Sequence, residues 1–133
     1  MGKDALKRTS LYASGASPVN LLQARFYNED CLVYDLEDSV PLAEKDAARL
    51  LVYNLIKYQR PAGKYVIIRV NGIYSEYIDE DLEAAVRACP DAIRIPKVEY
   101  AKEVERIDRR ITEIEKEAGI EPGSIELWCN IES

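Results

Sequence analysis

Apolar runs that end in charged or polar residues recur along this chain, and this pattern constrains the fold more than any other feature. Residues 31–36 lead to two acidic residues, residues 65–70 lead to an asparagine, and residues 125–131 lead to a glutamate. Parallel α/β sheets and barrels place their sites where the carboxyl ends of strands meet. The pattern therefore predicts one rim of charged groups on a parallel sheet or barrel.

Strand-like and helix-like segments alternate along the whole chain. We predict strands at residues 9–13, 31–36, 65–70, 92–95 and 125–131, and helices at residues 17–26, 43–58, 81–88 and 100–118. Ser17 and Pro18 suit the N-cap and the first position of the first helix, and Gly119 suits the end of the last one. Strands separated by helices predict a parallel sheet with right-handed crossovers.

Two closures of such a sheet fit the length of 133 residues, for which one domain is expected. An open five-stranded parallel sheet is complete at this length. A (β/α)8 barrel needs about 250 residues, so this chain would supply its first five βα units. Length alone favours the open sheet, but the loop after the first strand has a single glycine, Gly15, which is weak support for a nucleotide site.

Composition excludes several classes of function. The net charge of −6 argues against nucleic-acid binding, which needs a basic face. No apolar run has the length of a membrane span, and the first residues lack the apolar stretch of a signal peptide. We therefore expect a cytoplasmic protein with neither a nucleic-acid nor a membrane partner.

Histidine is absent, which excludes His-dependent triads and His-ligated zinc and leaves carboxylates, arginine and lysine to carry any chemistry. Three cysteines, Cys31, Cys89 and Cys129, lie far apart, in or beside apolar runs. Buried, reduced thiols are the expected state of such cysteines.

Candidate site residues follow the second and third strands. Asp35 and Glu37 share a face because side chains alternate along a strand, and Asp38 adjoins them. Close carboxylates suit Mg²⁺, although a solvated acidic turn is an equally open interpretation. Arg69 and Asn71 also share a face, and the arginine there either binds a ligand carboxylate by two hydrogen bonds or pairs with one of the acidic residues.

The fourth and fifth strands add one charged residue each. Lys97 follows the fourth strand, where a surface position is a plainer interpretation than a catalytic one. Glu132 ends the fifth strand, and one carboxylate by itself indicates little. Because the carboxyl ends of parallel strands cluster, we expect Asp35, Glu37, Arg69 and Glu132 to lie on one rim.

Six ordered segments resemble the β subunits of citrate lyase and the wider group of HpcH/HpaI aldolases and citramalyl-CoA and malyl-CoA lyases. The segments are LYASG at 11–15, DLEDSVP at 35–41, EKDAAR at 44–49, RVNG at 69–72, IPKVE at 95–99 and IES at 131–133. The resemblance implies a (β/α)8 barrel, of which residues 1–133 are an incomplete domain that lacks the last three strands.

The resemblance also implies a function, a Mg²⁺-dependent retro-Claisen cleavage of a carbon–carbon bond. The implied substrate is a citryl thioester on an acyl carrier protein or CoA, and the products are an acetyl thioester and oxaloacetate. Citramalyl-CoA or malyl-CoA is the alternative substrate. The resemblance implies other citrate lyase subunits as partners, and it implies an oligomer. An alternative of another class is a catalytically inactive half-barrel, stabilised by a partner chain or by self-association.

Roles for individual residues are carried over from the resemblance. Glu132 corresponds to the metal-binding glutamate, and Arg69 to the arginine that holds the keto-acid carboxylate. Glu37 and Asp38 correspond to the acidic pair near the waters of the metal.

Further expected substrate contacts are Asn71, Lys97 and Gly15, the last in the loop that meets the thioester arm. That loop, residues 13–18, departs from the usual family sequence. The second Mg²⁺ ligand of the family, an aspartate on the next strand, is expected beyond residue 133.

Overall fold

Five strands form one parallel sheet in the order β1-β2-β3-β4-β5 in the computed structural model, which describes residues 10–131. The strands are β1 (Ser10–Ser14), β2 (Cys31–Asp35), β3 (Tyr65–Arg69), β4 (Ala92–Val98) and β5 (Glu126–Ile131). The helices are α1 (Pro18–Gln23), α2 (Lys45–Gln59), α3 (Ile78–Ala88) and α4 (Ala101–Ala118), and short 3₁₀ turns cover Ala24–Phe26 and Leu42–Glu44. The alternation predicted from sequence is confirmed, although β4 ends later and α3 begins earlier than predicted.

Local sequence explains where the helices begin and end. The hydroxyl of Ser17 accepts a hydrogen bond from the backbone N–H of Asn20 at 3.3 Å, and Pro18 takes the first helical position. Helix α4 ends at Gly119, whose φ of 73° lies in the region that favours glycine. None of the helices in residues 10–131 combines the length and the apolar content that a membrane span requires.

The strand order distinguishes between the two closures. In a doubly wound sheet the order reverses at a switch point, and helices cover both faces. Here the order does not reverse, and the helices pack into one large core with alternate residues of the strands. The sheet residues of this core include Leu32, Tyr34, Val66, Ile68, Ile93 and Ile95. A single helical layer over strands in sequence order is the wall of a (β/α)8 barrel.

The opposite face of the sheet, called here the inner face, has a small apolar core of its own. Its buried members are Cys31, Val33, Tyr65, Ile67 and Ala92. The ring of Trp128 packs against them and stacks on Tyr65, with the ring centroids 5.5 Å apart. Apolar side chains therefore fill the inner face near the middle of the strands, as they fill the interior of a barrel.

One row of side chains crosses the sheet towards the carboxyl ends of the strands. Strand register aligns Ser14, Asp35, Arg69, Arg94 and Trp128 in this row. Side chains two residues apart share a face, so the row belongs to the inner face together with the apolar core below it. The fold therefore places charged groups on the inner face at the carboxyl-end rim.

The cysteines are only partly as expected. Cys31 is buried, whereas Cys89 is exposed and Cys129 is half-buried, and all three are free thiols. Cys89 is the C-cap of α3, with φ at 59°, and it lies where the helix ends at the surface. The expectation of three buried thiols is therefore wrong for Cys89.

Candidate functional site

Asp35 and Arg69 form the centre of the candidate site, at the ends of β2 and β3. They are register partners, and Nε of Arg69 donates to Oδ1 of Asp35 at 2.7 Å. Asp35 also accepts from the backbone N–H of Glu37 at 2.9 Å, and from the N–H and hydroxyl of Ser39 at 3.0 and 2.6 Å. Burial by itself would raise the pKa of Asp35, but these donors lower it to about 2. Asp35 is therefore an anion that fixes Arg69.

Asp35 engages only the Nε of Arg69. Among the described residues the two terminal Nη groups have no hydrogen-bond partner, and the side chain is 15% exposed. The hydrogen bond to Asp35 raises the pKa of Arg69, and the guanidinium lies 5.0 Å from the centroid of the Tyr12 ring. The Nη pair is thus held in place and open, which is the geometry that binds a carboxylate by two parallel hydrogen bonds.

Glu37 lies between two cations. Its Oε1 is 3.8 Å from Nε of Arg69, and its Oε2 is 3.5 Å from Nζ of Lys97. Burial raises the pKa of Glu37, as does the neighbouring Asp38, whereas Arg69 and Lys97 oppose the shift. The raised pKa of Glu37 next to a second carboxylate marks a place where a further cation would be stabilised.

Lys97 reaches Glu37 because the end of β4 is irregular. The register with β5 shifts between Ile95 and Val98, and φ of Lys97 is 55°. Pro96 has no N–H for the strand ladder, and a bulge at such a position redirects the side chain that follows. The predicted strand stopped before this bulge. The lysine is both a surface residue, with its side chain 63% exposed, and a neighbour of Glu37.

Lys45 holds the backbone at Leu36 and Glu37, a contact that was not predicted from the sequence. Its Nζ donates to the backbone carbonyls of Leu36 at 2.9 Å and of Glu37 at 2.7 Å, and the residue is buried. Burial lowers the pKa of Lys45, and nearby carboxylates led by Asp35 oppose this shift. The available signal was a lysine in the EKDAAR segment, a few residues after the acidic turn.

Asn71 is placed differently from the expectation. Strand β3 ends at Arg69, so the alternation of side chains ends there. The carboxamide and the backbone N–H of Asn71 both donate to Oδ2 of Asp81, at 2.6 and 2.9 Å, and Asp81 also accepts from Nε of Arg49. The expectation that Asn71 shares the face of Arg69 is therefore wrong, because Asp81 of α3 holds it on the helix side. Its contact with substrate stays a prediction.

Gly15 is buried against β2. Its N–H donates to the carbonyl oxygen of Asp35 at 2.8 Å. A Cβ on this residue would lie 2.8 Å from that oxygen and 3.1 Å from Cβ of Ala48, so only glycine fits without movement. The structure explains the glycine by packing, and its predicted contact with the thioester arm remains a prediction.

The predicted metal ligand, Glu132, lies outside the described residues. The structure brings Asp35, Glu37 and Arg69 together on the rim, as expected for three of the four predicted groups. Within residues 10–131, no cluster of three or more acidic, cysteine or histidine side chains has the arrangement to hold a metal ion.

Known proteins share the sequence of this chain over most of its length. Residues 8–133 match the HpcH/HpaI aldolase/citrate lyase family. The chain is 41% identical over 131 residues to the citrate lyase subunit beta of Escherichia coli K12, covering 98% of this chain and 43% of that protein. It is 38% identical over 100 residues to the (3S)-malyl-CoA thioesterase of Cereibacter sphaeroides KD131, covering 75% of this chain and 35% of that protein. The chain thus spans less than half the length of these relatives.

Solved structures share the fold. A Haloferax volcanii malate synthase in complex with magnesium and glyoxylate matches with a TM-score of 0.83 at 20% identity, covering 95% of this chain and 42% of that one. A citrate lyase beta subunit from M. tuberculosis, complexed with oxaloacetate and magnesium, matches with a TM-score of 0.66 at 21% identity, covering 94% and 58%. Both are TIM-barrel proteins, in agreement with the strand order found here. Because the family match extends over nearly all of its residues, this chain belongs to the HpcH/HpaI aldolase/citrate lyase family.

Proposed function

We propose that these residues form the first part of a Mg²⁺-dependent lyase that cleaves a citryl thioester into an acetyl thioester and oxaloacetate. The observation that carries this proposal is the state of Arg69. Asp35 fixes its Nε, and neither of its Nη groups has a hydrogen-bond partner among residues 10–131. An arginine held in this way is suited to binding a keto-acid carboxylate. The similarity to citrate lyase subunit beta supports the same substrate class.

In the proposed reaction the tertiary hydroxyl of the citryl group loses its proton. The bond between the hydroxyl carbon and the carbon next to the thioester then breaks, and the hydroxyl becomes the keto group of oxaloacetate. The electron pair remains on the thioester as an enolate, which takes up a proton to give the acetyl thioester. Arg69 orients the carboxylate beside the reacting carbon. Glu37, positioned between Arg69 and Lys97, is the candidate base for the hydroxyl proton.

A Mg²⁺ ion fits this part of the rim by its chemistry. Glu37 and Asp38 are neighbouring carboxylates whose repulsion contributes to the raised pKa of Glu37. They would face the waters of the ion, and Glu132 would be a direct ligand, together with an aspartate further along the complete protein. When bound, Mg²⁺ supplies positive charge that stabilises the negative charge developing on substrate oxygens. The magnesium and oxaloacetate of the similar M. tuberculosis protein support this assignment.

The proposed partners follow from the same relatives. We propose an acyl carrier protein or CoA as the thioester carrier, with other citrate lyase subunits in an oligomer. In the described sheet, β1 pairs only with β2, and β5 pairs only with β4. Open strand edges favour pairing with further strands. This supports the proposal that residues 1–133 depend on the remaining strands of a barrel, on a partner chain or on self-association.

The test measures oxaloacetate release by the complete protein from citryl-CoA and from citryl carrier protein. Release should require Mg²⁺, stop with EDTA and return when Mg²⁺ is added in excess. The Arg69→Lys variant should lose most of the activity. The control is Arg60→Lys, because Arg60 pairs with Asp91 at the opposite end of the sheet, at 2.6 Å, and should keep full activity. If no citryl thioester releases oxaloacetate at saturating Mg²⁺, the proposal is wrong.

A second candidate function keeps the chemistry and changes the substrate to malyl-CoA or citramalyl-CoA. The similarity to the (3S)-malyl-CoA thioesterase favours it. Arg69 would hold the carboxylate of glyoxylate or pyruvate in the same way. Measuring the release of these two keto acids beside oxaloacetate decides between the candidates.

A further inference from the structure

We propose that Arg94 is a second carboxylate-binding residue of this site and that it selects keto acids that carry two carboxylates. The inference rests on the proposed function, since it assigns one carboxylate of the substrate to each of two arginines. No role was predicted for Arg94 from the sequence.

Arg94 lies directly beside Arg69 on the inner face. The two are register partners on β3 and β4. Both guanidinium carbons lie near the ring of Tyr12, that of Arg94 at 5.9 Å from the ring centroid and that of Arg69 at 5.0 Å. Arg69 is already paired with Asp35, so Arg94 adds a second cation beside it that can attract a further carboxylate.

No acidic side chain of residues 10–131 pairs with Arg94. Within the described part of the chain it forms no ion pair, whereas Arg69 pairs with Asp35. Its Nη1 donates to the hydroxyl of Tyr12, and its buried Nε has no hydrogen-bond acceptor. The ring of Trp128, 5.3 Å away, adds a second aromatic contact. Aromatic rings hold a cation in place without neutralising it, so the charge remains available to a ligand.

The candidate substrates differ in the number of free carboxylates. A citryl thioester has two, and its cleavage gives oxaloacetate, which also has two. Malyl and citramalyl thioesters have one, and they give glyoxylate and pyruvate. All of these share the carboxylate beside the reacting carbon, which is assigned to Arg69. The additional carboxylate of the citryl group and of oxaloacetate is assigned to Arg94.

The test compares the binding of oxaloacetate and of pyruvate to the complete protein with Mg²⁺ present, by titration calorimetry. Arg94→Gln should weaken oxaloacetate binding about 10- to 100-fold, the loss that corresponds to one hydrogen bond to a charged group. Pyruvate binding should change less than about twofold, since it lacks the second carboxylate. Arg94→Lys keeps the charge on the same aromatic rings and should give an intermediate loss for oxaloacetate alone. Arg60→Gln is the control and should change neither ligand.

Two results would overturn the role of Arg94. One is unchanged oxaloacetate binding in Arg94→Gln, or in Arg94→Lys if the glutamine variant does not fold. The other is an equal loss for oxaloacetate and pyruvate, which would show a general effect on the site. Failure of the proposed function is recognised separately. A wild-type protein that binds oxaloacetate through Arg94 but cleaves no citryl thioester would support this inference and refute the lyase assignment.

Discussion

Two arginine–aspartate pairs hold neighbouring parts of this molecule, and they differ in their surroundings. On the helix side, Arg49 of α2 donates from Nε to Asp81 at 2.8 Å, and from Nη1 to Asp46 and Glu80 at 2.8 and 3.0 Å. On the inner face, Arg69 donates to Asp35 from Nε only. The first arginine is surrounded by three carboxylates of the protein, whereas the terminal nitrogens of the second have no acceptor in the described part of the chain.

This difference separates a structural pair from a pair suited to binding. Asp81 also accepts two hydrogen bonds from Asn71, so the helix-side pair holds the loop that follows β3. Asp35 instead orients one arginine towards the open end of the sheet. The same two residue types therefore stabilise the fold in one place and present a cation to a ligand in the other.

The largest effect is expected from breaking the structural pair. Asp81→Ala in the complete protein should lower the free energy of unfolding by about 3–5 kcal/mol, because it removes the buried acceptor shared by Nε of Arg49 and the two donors of Asn71. Asp46→Ala is the matched control. Asp46 bonds the same arginine, but its side chain is 87% exposed, so its loss should cost about 1 kcal/mol or less. Urea unfolding measures the stability of both variants. An equal loss of stability in the two would contradict the different roles given to Asp81 and Asp46.

Replacing the open arginine should affect activity much more than stability, because lysine keeps a positive charge beside Asp35. Arg69→Lys should raise the activation free energy of citryl-thioester cleavage by about 2–4 kcal/mol, since lysine is a point charge that cannot bind a carboxylate with two parallel donors. Arg49→Lys should lower the melting temperature and leave kcat/KM of the folded protein nearly unchanged. Near-wild-type turnover in Arg69→Lys would show that Arg69 is structural as well.

Periodicity was sufficient to predict the strands and helices, because local burial determines both. Residues 65–68 are apolar since both faces of the strand are covered, and Ile107, Ile111 and Ile114 of α4 pack into the large core. The polar strand ends also correctly predicted that Asp35, Glu37 and Arg69 meet, because parallel strands end at the same edge.

Side-chain direction beyond the strand ends was not predictable from alternation. Asn71 is held by Asp81, a partner ten residues away on another element. Lys97 is redirected by a bulge whose position depends on the pairing of β4 with β5. Arg94 did have a signal, a charged residue between two apolar ones in a buried strand, but its neighbour Tyr12 comes from the far end of the sequence.

The Asp35–Arg69 pair should also contribute to stability in a way that depends on pH. The pKa of Asp35 falls from 3.8 to about 2, so its contribution is present above about pH 4 and is lost as the pH falls towards 2. At about 1.4 kcal/mol per pKa unit, the full contribution is about 2 kcal/mol. Urea unfolding of the wild type and of Asp35→Asn should differ by this amount near neutral pH and converge in acid. A difference independent of pH would show that the carboxylate is not the source.

Gly15 packs closely against the end of β2, and its replacement tests whether the fold depends on that packing. A Cβ at this position would lie 2.8 Å from the carbonyl oxygen of Asp35, so Gly15→Ala should destabilise the fold by at least about 1 kcal/mol. Gly72→Ala is the control, because nothing lies within 4 Å of a Cβ there. That substitution should change stability by less than about 0.5 kcal/mol. Similar melting temperatures for both variants would refute the packing argument.

The smallest effect concerns Lys97, whose backbone and side chain can be separated by two substitutions. Lys97→Ala and Lys97→Gly both remove the exposed ion pair with Glu37, which contributes about 1 kcal/mol or less. Residue 97 has a left-handed φ of 55°, which costs about 1–2 kcal/mol for a residue other than glycine. Glycine avoids this cost. Its greater flexibility in the unfolded chain offsets about half of the gain. The glycine variant should therefore be more stable than the alanine variant by up to about 1 kcal/mol. If the ammonium contacts substrate, both variants should show the same loss of kcat/KM. A more stable alanine variant would contradict the bulge and, with it, the route by which β4 brings a second cation to Glu37.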